Sequence, residues 1–301
     1  MNLPDNSIHL QLPRPVCEAI IRPVPEHRAD QELSEIYRDL KGHVRRALGW
    51  GHHAGGRLLP ALLCRGMATL RPSAKTHFFE RASDDIRIRS WELMGQSFVI
   101  EGQTDRLREM GYSVREIGQI RAVLDIFDYG NPKYLIFATA IKEGLLSGRT
   151  FGGAAGDARC HFPRSPICQI DPIPVMVEEH HAGGTLSQVY ADIKQTLQLP
   201  FINSDYKAMA RWPSYLEQAW GALKPCIDTP AYQAGRFDIN ARALAALDAL
   251  PTAYRMSRDD ALQAGLSEAQ TDELIQVISL FQWMLSGLVL NVTHFKQQAL
   301  K

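Results

Sequence analysis

The sequence predicts an all-α fold made of two related helical halves. Almost every periodic segment has the helical period of 3.6 residues. There are no convincing alternating runs and no Asn-Gly or Asp-Gly hairpin signals between such runs. One half also repeats the other at a fixed offset. From Leu33, the apolar residues Leu33, Ile36, Tyr37, Leu40, Val44, Ala47 and Leu48 form one helix face. Helical pattern continues near 115–129 and 132–147, and again at Leu186, Val189, Tyr190, Ile193 and Leu197. It then returns at Tyr215, Leu216, Trp220 and Leu223, near 239–249 and through 269–295. The stretch RTFGGAAGDARCHFPRSPICQIDPIP (149–174) lacks periodicity and is rich in Gly and Pro, so it reads as a connection. The expected organisation is a first repeat over 1–150, a linker over 151–173 and a second repeat over 174–301.

The repeat rests on identities at matched positions. Tyr37, Asp39, Lys41, Pro60, Leu63, Leu70 and Pro72 recur as Tyr190, Asp192, Lys194, Pro213, Leu216, Leu223 and Pro225, each 153 residues on (190 − 37, for example). The register persists at Asp85-Ile86 against Asp238-Ile239. A duplicated unit of this size suggests two halves about a pseudo-twofold axis, with a small-molecule cleft where they meet. Function should then sit where the copies differ. RRALGWGHHAGG (45–56) and QLPFINSDYKAM (198–209) are matched loops that have diverged, with His52 facing Asp205 and Trp50 facing Asn203.

Composition narrows the class of partner. The 301 residues carry 33 Lys+Arg against 33 Asp+Glu, so no net positive field favours nucleic acid. Apolar residues at 45% and charged residues at 22% exclude disordered and collagen-like classes. Cys17, Cys64, Cys160, Cys168 and Cys226 form no CxxC or zinc spacing and read as reduced thiols of a cytoplasmic protein. The N-terminus has no signal-peptide pattern. The apolar run Leu274–Phe295 is broken by Gln276, Ser279, Gln282, Ser286 and Asn291, which favours a buried core helix over a membrane span.

Two polar clusters stand out against the apolar helices. In Tyr129-Gly130-Asn131-Pro132-Lys133-Tyr134, Asn131 reads as an N-cap and Pro132 as the first helical residue. Asn203-Ser204-Asp205-Tyr206 also precedes a helix, and Ser204 or Asp205 can equally be a cap. The alternative is chemical. An amide and a carboxylate presented to one cleft, one from each half, can orient a water and take its proton.

The YGNPKYL run (129–135), the PFINSDYKAMARWPSYL run (200–216) and the paired YxDxK frames resemble the group I 2-haloacid dehalogenases, closest to their D-specific members. The resemblance extends over nearly the whole chain. It implies a homodimeric, cofactor-independent hydrolase that replaces the halogen of a short D-(R)-2-haloalkanoate by water, with inversion and no ester intermediate. By position it makes Asp205 the general base and has Asn131 hold the attacking water. Asn203 becomes the determinant of D specificity, and Ser204, Trp50 and Tyr134 become substrate contacts. Thr76 and Glu80 match positions needed for activity, in a chemical or an architectural role. His53 departs from the aromatic residue expected there. Helix starts at 131–134 and 204–207 would offer N–H donors to the substrate carboxylate.

Other readings are weaker. The His pairs of GHHAGG (51–56) and EHHAGG (179–184) are 128 residues apart and so not repeat-equivalent, and no HExxH helix accompanies them, so no metal site is expected. Glu80 with Asp205 as a glycosidase pair lacks aromatic-rich loops. A peroxidase-type reading lacks paired redox cysteines. An ester-forming α/β dehalogenase would need an N-terminal Asp-bearing strand. The main rival is a non-catalytic helical binding or scaffold protein in which both clusters merely cap helices.

Overall fold

The structure, a computed structural model, describes Gly66 and residues 69–153 and 174–301. The helix expected from Leu33, the 45–56 loop with Trp50, His52 and His53, and nearly all of the linker lie outside the described residues.

Among the described residues the fold is helical. After a helical stretch at 69–74 come α1 (His77–Ser97), α2 (Thr104–Glu109), α3 (Val114–Ser147) and the short strand β1 (Thr150–Phe151). Then follow α4 (Gly184–Leu197), α5 (Ser204–Met209), α6 (Pro213–Ile227), α7 (Pro230–Asp248), β2 (Tyr254–Arg255), α8 (Arg258–Gln263) and α9 (Glu268–Leu300). The all-α expectation is refined only by β1 and β2, which pair antiparallel with Phe151 opposite Tyr254. Gly152 (φ 66°) permits this junction, because a Cβ there would lie 2.4 Å from the Leu250 carbonyl oxygen.

The helix ends follow from local chemistry. Ser113 and Glu116 form a capping box at the start of α3, and Ser267 and Gln270 do the same for α9. Gly148, left-handed at φ 61°, ends α3. Thr76 caps α1 by accepting from the Phe79 N–H, while its hydroxyl donates to the Ser73 carbonyl at 2.6 Å.

Two long helices form the centre. α3 and α9 lie against each other, and α1 and α7 pack on both. α9 is long and apolar enough to cross a membrane by length and composition alone, but 78% of its apolar window is buried inside the protein. It is a core helix, as its interspersed amides suggested. Polar groups cross the α3–α9 seam: Lys142 donates to Gln282 at 2.8 Å and Lys296 donates to Asp128 at 2.6 Å. Between α1 and α7, Arg89 meets Asp238 at 2.8 Å and Arg242 meets Asp85 at 2.6 Å. α7 begins 153 residues after α1 (230 − 77), and α9 begins 154 after α3 (268 − 114).

One local expectation fails. Asn131 is not an N-cap and Pro132 does not open a helix, because α3 runs unbroken through both. The Asn-Pro signal is overridden by tertiary burial: every residue from 126 to 142 is buried, and interrupting the helix there would strand backbone groups in the core. The proline still removes one N–H, leaving the Asp128 carbonyl without its usual helical donor. Pro132→Ala restores that donor and is expected to raise unfolding free energy by about 1–3 kcal/mol, read as a higher urea midpoint at unchanged slope. A lower midpoint would mean that packing of the pyrrolidine ring outweighs the lost hydrogen bond.

Candidate active site

Asp205 and Asn131 are brought together. The Asn131 Nδ2 donates to Asp205 Oδ1 at 2.7 Å, between residues 74 apart in sequence. Asp205 is 2% exposed and Asn131 4%. Asp205 lies in the first turn of α5, which follows the 198–203 connection from α4. The carboxyl is therefore carried by a short helix and met by a side chain from the middle of a long one.

Burial dominates the electrostatics. Desolvation pushes the Asp205 carboxyl up to about 6, while the Asn131 amide, its own backbone N–H and the Ser204 hydroxyl pull the other way. Among the described residues no cation contributes. The carboxyl is thus a poised base held by neutral donors, where a salt bridge would have left it a weak one.

Asn203 is the N-cap of α5 by backbone conformation, yet its side chain makes no cap bond. Its Nδ2 donates instead to the Met284 sulfur at 2.8 Å, and its Oδ1 is buried without a partner. The capping reading names Asn131 for the first cluster and Ser204 or Asp205 for the second; Asn131 lies inside α3, and Ser204 and Asp205 are the first two residues of α5, whose N-cap is Asn203. Ser204 is half-buried at the first position of α5. Of the two helix starts expected to supply N–H donors, only the one at 204 exists, because the 131–134 amides belong to a continuous helix.

Thr76 and Glu80 collect at the start of α1. The Glu80 carboxylate accepts from Lys133 Nζ at 2.6 and 2.8 Å and from the Tyr129 hydroxyl at 3.0 and 3.2 Å. Lys133 is 1% exposed and its Nζ lies 3.7 Å from the Tyr129 ring centroid. Tyr129 and Lys133 are one turn apart and share a face of α3. At about 100° per residue, Asn131 points to the opposite face. Tyr134, buried and three residues beyond Asn131, lies on Asn131's side. Glu80 therefore grips α3 from behind Asn131, and Thr76 fixes the start of the helix that carries Glu80. Trp50 lies outside the described residues.

Sequence reasoning missed several buried polar groups. Tyr206 OH accepts from Asn291 Nδ2 at 2.8 Å, and Asn291 Oδ1 accepts from the Tyr232 hydroxyl at 2.6 Å. Arg236 lies over the Trp283 ring, 3.3 Å from its centroid. A signal for Arg236 was present: it falls on the stripe Tyr232, Arg236, Ile239, Ala243, Leu247 that the helical period marks as buried. Among the described residues no cluster of three His, Cys, Asp or Glu side chains has metal-binding geometry.

Comparison with known proteins bears on these groups. The family model described as halocarboxylic acid dehydrogenase DehI matches residues 59–206. An (R)-2-haloacid dehalogenase of Pseudomonas putida is 88% identical, covering 100% of both chains. A solved D-2-haloacid dehalogenase mutant in complex with D-2-CPA superposes with a TM-score of 0.85 at 88% identity, covering 97% of this chain and 100% of that one. A D-2-haloacid dehalogenase in complex with L-LA gives the same TM-score and identity, covering 96% and 100%. On these similarities the chain belongs to the group I 2-haloacid dehalogenase family, on its D-specific side.

Proposed function

We propose that this enzyme hydrolyses D-(R)-2-haloalkanoic acids to L-(S)-2-hydroxy acids and halide, by direct attack of a water activated on Asp205. The observation that carries the reading is the buried Asp205–Asn131 pair. A water held by a carboxylate and an adjacent amide has its lone pair oriented and its proton acceptor in place. As its oxygen bonds to C2 from behind, the carbon–halogen pair leaves with the halide and a proton passes to Asp205. Orientation of this kind is worth up to about 7–11 kcal/mol in ideal cases, and general-base help about 10²–10⁴-fold. The D ligand of one related complex and the L ligand of the other are what inversion at carbon would give. The resemblance adds to the reading a homodimer, a cytoplasmic setting and no cofactor, with Ser204, Trp50 and Tyr134 around substrate and halide.

In this reading Thr76 and Glu80 are positioning residues. Thr76 fixes the start of α1, Glu80 fixes Lys133 and Tyr129, and these hold the stretch of α3 that Pro132 weakens, so that Asn131 meets Asp205. Asn203, anchored on Met284, forms a wall that stops the L enantiomer from turning over.

We also read the two halves as a duplicated unit. The 153–154-residue spacing of α1 with α7 and of α3 with α9 supports this. So do the exchanged contacts. Arg89–Asp238 and Arg242–Asp85 are the same pair taken from opposite sides, at an offset of 153 (242 − 89 and 238 − 85). Lys142–Gln282 and Lys296–Asp128 repeat the exchange at 154 (296 − 142 and 282 − 128). Such reciprocity is what a twofold relation produces.

Three results test the mechanism. A base must be deprotonated to work, so kcat/KM for D-2-chloropropionate should rise with pH through about 6 and level off above it. A raised carboxyl pKa means the folded state holds its proton more tightly. The associated stability is complete below the ordinary 3.8 and lost as pH rises through about 6. Asp205→Asn should therefore abolish halide release while gaining about 3 kcal/mol over the parent at neutral pH, the gain vanishing in acid. An active or destabilised Asp205→Asn enzyme would remove the base assignment.

Inversion alone does not separate the two chemical routes, because an enzyme ester opened at its carbonyl inverts as well. In a single turnover in oxygen-18 water, the direct route labels the first hydroxy acid formed. Unlabelled first product would mean that Asp205 had attacked carbon itself.

Asn203→Ala should admit L-2-chloropropionate at measurable rate while leaving α5 intact, because no cap bond is lost. Unchanged enantiomer selectivity would show that the barrier to the L form lies elsewhere.

A further inference from the structure

A cavity that neither Asp205 nor Asn131 lines lies between the end of α4, the α6–α7 junction and one face of α9. Its volume is about 380 Å³, within the size of small-ligand pockets, and Leu199, Ile227, Leu280 and Leu288 give it apolar walls. Arg236 also lines it. This guanidinium is 8% exposed, lies on the Trp283 ring, and donates through Nη2 to the Trp283 carbonyl and through Nε to Ser286 at 3.5 Å. Its Nη1 has no partner among the described residues, and no carboxylate forms an ion pair with it. Asp228 lies at the mouth, solvent-exposed, and is not within ion-pair distance. Burial lowers the guanidinium to about 10, still charged at neutral pH.

A buried cation without a counter-ion is costly, and the cost is relieved when an anion supplies the missing partner. We infer that the Arg236 cavity is a second carboxylate-binding site, taking a small 2-substituted carboxylate distinct from the one that reacts at Asp205. The guanidinium fork matches a carboxylate through two parallel bonds, and the apolar walls accept an alkyl group or halogen. Gly287 makes room: a Cβ there would lie 3.5 Å from the Arg236 Cζ and 3.3 Å from the Tyr232 hydroxyl. Neither Asp205 nor Asn131 lines the site, which sets it apart from the pair proposed to react. It is joined to it through Met284, which lines the cavity and holds Asn203, and through Asn291, which lines it and bonds Tyr206.

The ligand class rests on the proposed substrate, and the test separates the two. Calorimetric titration of the Asp205→Asn enzyme with D-2-chloropropionate should give two binding events per chain. Adding Arg236→Gln should remove one and leave the other. Gln233→Glu keeps Arg236 but offers it an internal carboxylate one turn away, and should weaken the second event at least tenfold without disturbing the first. L-lactate should compete at the Arg236 site, since product and substrate share the carboxylate. A single event untouched by either substitution overturns the inference, as does a site filled by chloride that no carboxylate displaces. Halide release by the parent enzyme reports separately on the catalytic reading.

Discussion

Burial of one carboxyl, Asp205, is the constraint on which the candidate site depends. Asp205 is buried, without a cation among the described residues, and held by an amide, a hydroxyl and its own N–H. Were a lysine or arginine beside it, the carboxylate would be more stable and too weak a base to take a proton near neutrality. Were it exposed, its pKa would fall to the ordinary range and the attacking water would be one of many. Neutral donors around a buried carboxyl leave it ionised at neutral pH and strong enough to accept a proton, as the proposed mechanism requires. The cost is borne by the fold, which keeps a destabilising charge at a position where an asparagine would be more comfortable.

That arrangement needs a rigid opposite wall, and α3 supplies it in spite of its sequence. A helix with proline in the middle should bend or fray, and Asn131 sits beside the weak point. Two features compensate. α3 is enclosed along most of its length, chiefly by α9, and Glu80 from α1 holds Lys133 and Tyr129 on the face opposite Asn131. The clamp is a buried ion pair whose remaining donors and acceptors are well satisfied, the condition under which such pairs hold a geometry. Thr76 acts one step further back, by fixing where α1 begins.

Much of this was legible in the sequence, and what was not has physical causes. The class and the helices α4, α6 and α9 followed from periodicity, because their buried faces are apolar. α1 was missed because its buried stripe Phe79, Ser83, Ile86, Ser90, Met94 alternates apolar residues with serines, two of which bond to carbonyls within the helix. α3 was split in two because Asn-Pro is a strong local start signal and burial is not local. The contact of Asp205 with Asn131 spans 74 residues, and no periodicity could have proposed it. It came from reading the two polar clusters as facing one cleft and from resemblance to a family, while the lack of a cation among the described residues came only from the structure.

The proposed duplication explains why a positioning clamp in one half corresponds to a cavity in the other. Lys133 and Glu80 fall opposite Gly287 and Gln233 at the offsets of α3 with α9 and of α1 with α7 (287 − 133 = 154, 233 − 80 = 153). Replacing a lysine by glycine and a glutamate by glutamine removes both a side chain and an ion pair. The space does not collapse, because α9 is held on its other faces by α3 and α1. Arg236 enters it from α7, at the position matched by Ser83 in α1, and lies on Trp283 where Lys133 lies on Tyr129. On that reading each half retains a buried cation on an aromatic face of its central helix. In the first half the cation is neutralised by the chain's own carboxylate, which turns it into a brace. In the second no described carboxylate does so, which is the role the proposed carboxylate ligand would fill.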